Sequence, residues 1–191
     1  MKKKEYETLR AQAFFDLVNP LFRSYFFNPY TLIECCAGNG NAGRIFSLDD
    51  KVNNVFFVDI KKVRGLNDNI HNLTKSYEIF LEGIDRFFIA DNSAIIAVHA
   101  CGNLTDRILS KSIESRVPVA VMSCCHSDKI ENHNLKHPPD SRILLYGKSE
   151  DYYDAVRQQF LIENGYDAVV LQIDPKITPK NNVIIGVPNQ L

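Results

Sequence analysis

The sequence has no apolar run approaching the roughly 18 residues that span a bilayer as a helix, which excludes a helical membrane segment. Neither sign of charge is in excess: 22 Lys and Arg face 23 Asp and Glu, for a formal net charge of −1. Such a chain has no long-range field for gathering nucleic acid, although a local basic patch is compatible with it. Repeats, low-complexity tracts and long linkers are also missing, so the 191 residues are expected to form one domain. The opening Met1-Lys2-Lys3-Lys4-Glu5 leads into a charged amphipathic segment and lacks an apolar signal core. The five cysteines are odd in number and include two adjacent pairs, Cys35-Cys36 and Cys124-Cys125, which does not suit a disulfide framework. These absences lead to the expectation of a soluble cytoplasmic domain with reduced thiols and no membrane partner.

What is present is a regular alternation. Tyr6, Leu9, Ala13 and Leu17 recur at helical spacing and predict a first helix that ends at Asn19-Pro20. Phe22, Tyr25, Phe26, Phe27 and Tyr30, broken by Asn28-Pro29, predict an aromatic cap over the edge or mouth of the domain. Residues 1–30 are therefore read as an N-terminal helix and cap, and residues 31–191 as the main domain. Apolar runs follow at 31–35, 54–58, 77–81, 94–99, 117–123, 168–173 and 183–187. Between them lie helical periods: Leu66, Ile70 and Leu73, then Leu104, Ile108 and Leu109, then Tyr153, Val156 and Phe160. This predicts an α/β fold with a mostly parallel sheet and helices on both faces. The last two runs are about ten residues apart, too close for a helical crossover, so they should pair antiparallel. The short stretch from Glu82 to Ser93 has room for a helical turn or two around Phe87 and Phe88.

The first run ends in Glu34 and is followed by Gly38, Gly40 and Gly43, then by a helical segment with Ile45, Phe46 and Leu48. Glycines at a strand-to-helix turn let a ligand lie against the main chain, and the helix start offers N–H groups to an anion. Asp59 closes the second run, where an acid can accept hydrogen bonds from ribose hydroxyls. Similar turns serve dinucleotides, and some simply pack a helix. A carboxylate before the glycines disfavours a pyrophosphate and favours a ligand with a free ammonium group. S-adenosylmethionine has that ammonium, a ribose diol and no phosphate.

The segment resembles the donor-binding signature of class I S-adenosylmethionine-dependent methyltransferases. The resemblance covers about residues 31–187 and implies a Rossmann-like sheet of seven strands with an antiparallel last strand. It also implies that Glu34 holds the donor's amino group, that Gly38 and Gly40 line its methionine moiety, that Asp59 binds the ribose, and that Asp85 contacts the adenine. Ala37 and Ile60, beside these positions, join the expected donor contacts, as does His99. Cys36 stands where the family has its first glycine.

Two further segments, His99-Ala100-Cys101-Gly102-Asn103-Leu104-Thr105-Asp106 and Ser123-Cys124-Cys125-His126, end the fourth and fifth runs. Together they are similar to a methyltransferase group that includes the CCH-type tRNA 2′-O-methyltransferase. That kinship implies RNA, including tRNA, as acceptor, with a protein side chain as the alternative. The chain's small size leaves room for a partner subunit that supplies recognition. A non-catalytic binding domain and a dinucleotide oxidoreductase are the rival functions. His99, Cys101 and His126 are the candidate catalytic residues. The cluster is compatible with acceptor positioning or proton abstraction by an imidazole, with a zinc site, with a cysteine nucleophile, or with ordinary packing. Adjacent cysteines on a strand point apart, so no metal ligand is assigned. The polar loop from Asp128 to Arg142 is a candidate substrate loop or a solvated connection, and Arg10 with Lys2, Lys3 and Lys4 forms a basic edge.

Overall fold

The computed structural model describes residues 3–61, 66, 70, 71, 73–125 and 149–190. Its elements are α1 (Lys3–Tyr25), β1 (Tyr30–Cys35), α2 (Asn41–Phe46), β2 (Val52–Val58), β3 (Ser76–Phe80) and β4 (Ser93–Cys101), then α3 (Asn103–Ser115), β5 (Val119–Cys125), α4 (Ser149–Glu163), β6 (Tyr166–Gln172) and β7 (Asn182–Pro188). The strands form one sheet in the order β3-β2-β1-β4-β5-β7-β6. All pairs are parallel except those of β7, which runs antiparallel to both β5 and β6. The strand order reverses between β1 and β4, the place where open α/β sheets hold ligands.

Alternation along each strand divides the core between the two faces of the sheet. Leu32, Ile96 and Ile185 point to the side of α1 and α2, where Phe14, Val18, Phe22 and Phe46 pack. Their neighbours Ile33, Ile95 and Ile184 point to the other side, against Ile108 and Leu109 of α3 and Leu161 of α4. Continuous apolar strands are what a sheet covered on both faces requires.

Three expectations need correction. Pro20 does not end the first helix; α1 runs through it to Tyr25. The ring lies on the solvent face, as does Asp16, whose carbonyl loses its partner and can be hydrated instead. The aromatic stretch is not a cap over the mouth. Phe22, Phe26 and Tyr30 are core residues, with Phe26 stacked on Tyr30 at 4.1 Å, and Phe27 alone of the five is strongly exposed. Helix α4 does not bury Tyr153, Val156 and Phe160; its buried face carries Tyr152, Asp154, Arg157 and Leu161. The stretch after β3 holds one turn, with Arg86 N–H on Gly83 O and Phe87 N–H on Ile84 O.

Candidate active site

A cavity of about 380 Å³ opens at the carboxyl ends of β1, β2 and β4, lined by Cys36, Asp59, Ile60, Ile84, Cys101 and Leu104 among others. Its volume falls within the roughly 300–1,000 Å³ of small-molecule sites. Lys61, Glu82 and Arg107 also line it, so the apolar walls carry a few polar groups.

The turn beneath it is built from left-handed residues. Cys36, Gly38 and Gly40 have φ of 54°, 51° and 72°. Cys36 thus adopts, with a side chain, the conformation for which glycine is the usual residue. The glycines have separate reasons to be glycine. A Cβ on Gly38 would meet nothing nearer than 3.7 Å, so this position opens outward. A Cβ on Gly40 would lie 2.7 Å from Leu66 Cδ1, and one on Gly43 would lie 2.6 Å from Glu34 Oε2. Those two glycines allow close packing. Ala37 is buried and accepts the Gly40 N–H at 2.7 Å, which closes the turn.

Glu34 is buried within the turn that follows it. The side chain is 3% exposed, and its Oε2 accepts the Gly43 N–H at 2.7 Å. The carboxyl group thereby occupies the start of α2 from below, where an anionic ligand group was expected. Burial pushes its pKa up to about 8, opposed by the N–H groups of Gly43 and Ala42. Asp59 does lie at the cavity: its Oδ2 is 3.4 Å from Gly38 N, and its Oδ1 accepts the Lys61 N–H at 3.1 Å. Asp85 is exposed and is held by Arg107 of α3, whose Nε donates to Oδ1 at 3.0 Å. It lines a separate hollow of about 290 Å³ beside α3.

Both His-Cys segments carry a break in strand register. Val98 pairs with Met122 and Ala100 with Ser123, so His99 is an extra residue in β4, and its φ is 65°. Cys101 then pairs with Cys125, which makes Cys124 an extra residue in β5. Bulges of this kind re-aim side chains and are common beside active sites. Burial, reinforced by the positive charge of Arg10, pushes the His99 pKa down to about 4, so the imidazole is neutral at pH 7. Cys101 is exposed at the cavity. Burial and the nearby Asp59 push the Cys36 thiol up to about 12, so it stays protonated. His126 and the loop 128–142 lie outside the described residues.

Sequence reasoning missed a buried ion network beside this cluster. Arg157, 2% exposed, donates from Nε to Asp106 Oδ1 at 2.7 Å and from Nη1 to Asp154 Oδ1 at 3.1 Å. Ser123 Oγ and Asn182 Nδ2 also donate to Asp154, at 3.0 Å each. Arg157 Nη2 lies 3.5 Å from the Gly102 carbonyl, so the network reaches the backbone that follows Cys101. Asp106 stood in the motif around His99; its partner on a distant helix gave no local signal.

Comparison with known proteins bears on this arrangement. The chain is 24% identical over 190 residues to a glutathione S-transferase C-terminal domain-containing protein of Mus musculus, and 21% identical over 188 residues to that of Homo sapiens. Each match covers 82% of this chain and 30% of the relative, so the chain spans less than a third of the length of these curated relatives. Among solved structures it is similar to the methyltransferase domain of bacterial CtHen1, with a TM-score of 0.61 and 16% identity over 92% of this chain and 98% of the other. It is similar also to an rRNA methylase from Streptococcus thermophilus, with a TM-score of 0.56 and 14% identity over 87% and 91%. A third is the magnesium protoporphyrin IX methyltransferase of Synechocystis, solved with bound S-adenosylhomocysteine, with a TM-score of 0.60 and 10% identity over 94% and 83%. At these identities the likeness establishes the fold, a Rossmann-like methyltransferase sheet. Residues 10–133 match the family model described as a methyltransferase domain, and the chain belongs to that family.

Proposed function

We propose that this chain binds S-adenosylmethionine and transfers its methyl group to a nucleophilic acceptor, with RNA the leading acceptor class. The observation that carries the reading is the cavity at the strand ends that Asp59, Ile60 and Cys101 line, with Asp59 Oδ2 3.4 Å from Gly38 N in the glycine turn. A carboxylate offers about four lone-pair sites, and Asp59 is engaged by two backbone N–H groups, so acceptor capacity is left for a ribose diol. Ile60, Ile84 and Leu104 supply apolar walls for an adenine. The donor would bring an electrophilic methyl group on a sulfonium centre. The protein's part is to hold the acceptor atom in line with it. His99 at about 4 is a weak base near pH 7, which favours a positioning role over proton abstraction.

Support for RNA comes from the motif likeness around His99 and Cys124 and from the rRNA methylase among the similar folds. Since the curated relatives are more than three times longer, regions outside this chain, or a partner subunit, would contribute acceptor recognition. The free thiols Cys35, Cys36 and Cys101 suit a reducing, cytoplasmic setting. The test is incubation with methyl-labelled donor and separate pools of tRNA, rRNA and protein. Label in an RNA pool is expected. Label in protein alone would move the acceptor to a side chain, and label in none would favour a non-catalytic binding domain.

A further inference from the structure

Cys36 puts a thiol at a position whose left-handed backbone, with φ of 54°, is ordinarily left to glycine. The residue lies in the turn after β1, and Cys101 ends β4, the neighbouring parallel strand. Register sets Glu34 opposite Ile96, so Cys36, two residues on, stands at about the level of Val98 and His99. Cys101 turns back towards that level: its Sγ donates to the His99 carbonyl at 3.6 Å. Neighbouring strands lie about 4.8 Å apart, inside the roughly 4.4–6.8 Å between Cα atoms that a disulfide spans. Both cysteines line the cavity of about 380 Å³, and neither is in a disulfide. Charge on Cys101 raises the pKa of Cys36, so the two thiols are within electrostatic reach of one another. Methyl transfer by alignment makes no use of the Cys36 thiol.

We propose that Cys36 and Cys101 form a peroxide-sensitive thiol pair whose disulfide closes the cavity. The closing role rests on the donor reading above; the pairing of the two sulfurs does not. Cys101, the exposed member, reacts first. Its sulfur attacks one peroxide oxygen, an S–O bond forms as the O–O bond breaks, and the departing hydroxide takes the thiol proton and leaves as water. The Cys36 sulfur then attacks the sulfenic sulfur. The S–S bond forms, the S–O bond breaks, and the released hydroxide carries off the Cys36 proton as a second water. Both sulfurs are oxidised by one electron each, and the peroxide is reduced to two waters. Burial and Asp59 keep Cys36 protonated, so the second step is the slower one and quickens as pH rises. The bridge joins the ends of β1 and β4 across a cavity that Asp59 and Ile60 also line, and so takes up room that a donor needs.

The experiment treats the whole reduced chain with hydrogen peroxide and maps its bridges by non-reducing digestion and mass spectrometry, with S-adenosylhomocysteine titrated before and after. A linked Cys36–Cys101 peptide, lighter by two hydrogens than its parts, is expected. It should form faster in alkaline buffer, disappear with dithiothreitol and be absent from Cys36→Ser. Affinity for S-adenosylhomocysteine should fall at least about tenfold in the oxidised chain and return on reduction. A bridge from Cys101 to Cys125, its register partner in β5, would overturn the pairing, as would oxidation of Cys101 to the sulfinic acid with no bridge. A Cys36–Cys101 bridge that leaves the affinity unchanged would overturn the closing role. Failure of the reduced wild-type chain to bind S-adenosylhomocysteine would instead overturn the donor reading, while the peptide map still decides the pairing.

Discussion

Glu34 and His99 set opposite limits on stability. The folded-state pKa of Glu34, about 8, stands above its ordinary 4.5, so its contribution is full below about 4.5 and is lost as pH rises through 8. His99 behaves in the reverse sense: its pKa falls from 6.5 to about 4, so its contribution is present above 6.5 and is lost as pH drops towards 4. The two changes offset one another between about pH 4.5 and 6.5, so urea denaturation should show a plateau there and falling stability on either side. Glu34→Gln, which imitates the neutral acid, should flatten the alkaline limb and exceed the wild type at pH 8.5 by on the order of a few kcal/mol. A variant less stable than wild type at that pH would show that the charged carboxylate is what the turn needs. Cys36 gives a second residue-scale contrast. Its left-handed backbone predicts that Cys36→Gly stays within about 0.5 kcal/mol of wild type, while β-branched Cys36→Val loses more than about 1 kcal/mol, read from thermal or urea midpoints.

At the scale of elements, the Arg157 network fastens α3, α4, β5 and β7 at the edge where the His-Cys segments end. Asp106→Leu removes one of the two acids that pair with buried Arg157 among the described residues and should cost about 3–5 kcal/mol in urea denaturation. Asp106→Leu combined with Arg157→Met should cost less than the single change, because the uncompensated cation is gone while Asp154 keeps Ser123 and Asn182. Simple additivity would show that the network does not act as a unit. Most elements were legible in the sequence. The apolar runs gave all seven strands to within a few residues, and the short final connection gave the antiparallel pair, because covered strands leave a continuous apolar signature. Helix α4 was harder: its buried face includes an acid and an arginine, so a search for apolar periodicity selected the neighbouring face. Pro20 misled for a related reason, since tolerance of a proline depends on whether the helix face is wet, and spacing alone does not show that.

For the molecule as a whole, the site was legible where chemistry follows the backbone. Asp59 and Cys101 stand at strand ends that the topology brings together and line one cavity, and Gly38 in the turn after β1 has its N 3.4 Å from Asp59 Oδ2. It was not legible where a side chain has a choice of direction. Glu34 turns under the turn, and Asp85 is taken up by Arg107. Glu7 reaches Asn39 across 32 positions of sequence, a contact that no local pattern encodes. Donor binding is the claim on which the rest depends, and titration of S-adenosylhomocysteine into wild type and Asp59→Ala tests it most directly. Saturable one-to-one binding is expected for the wild type, weakened at least about tenfold in Asp59→Ala, which loses the carboxylate beside Gly38. No heat of binding at millimolar ligand, or an affinity indifferent to Asp59, would contradict it.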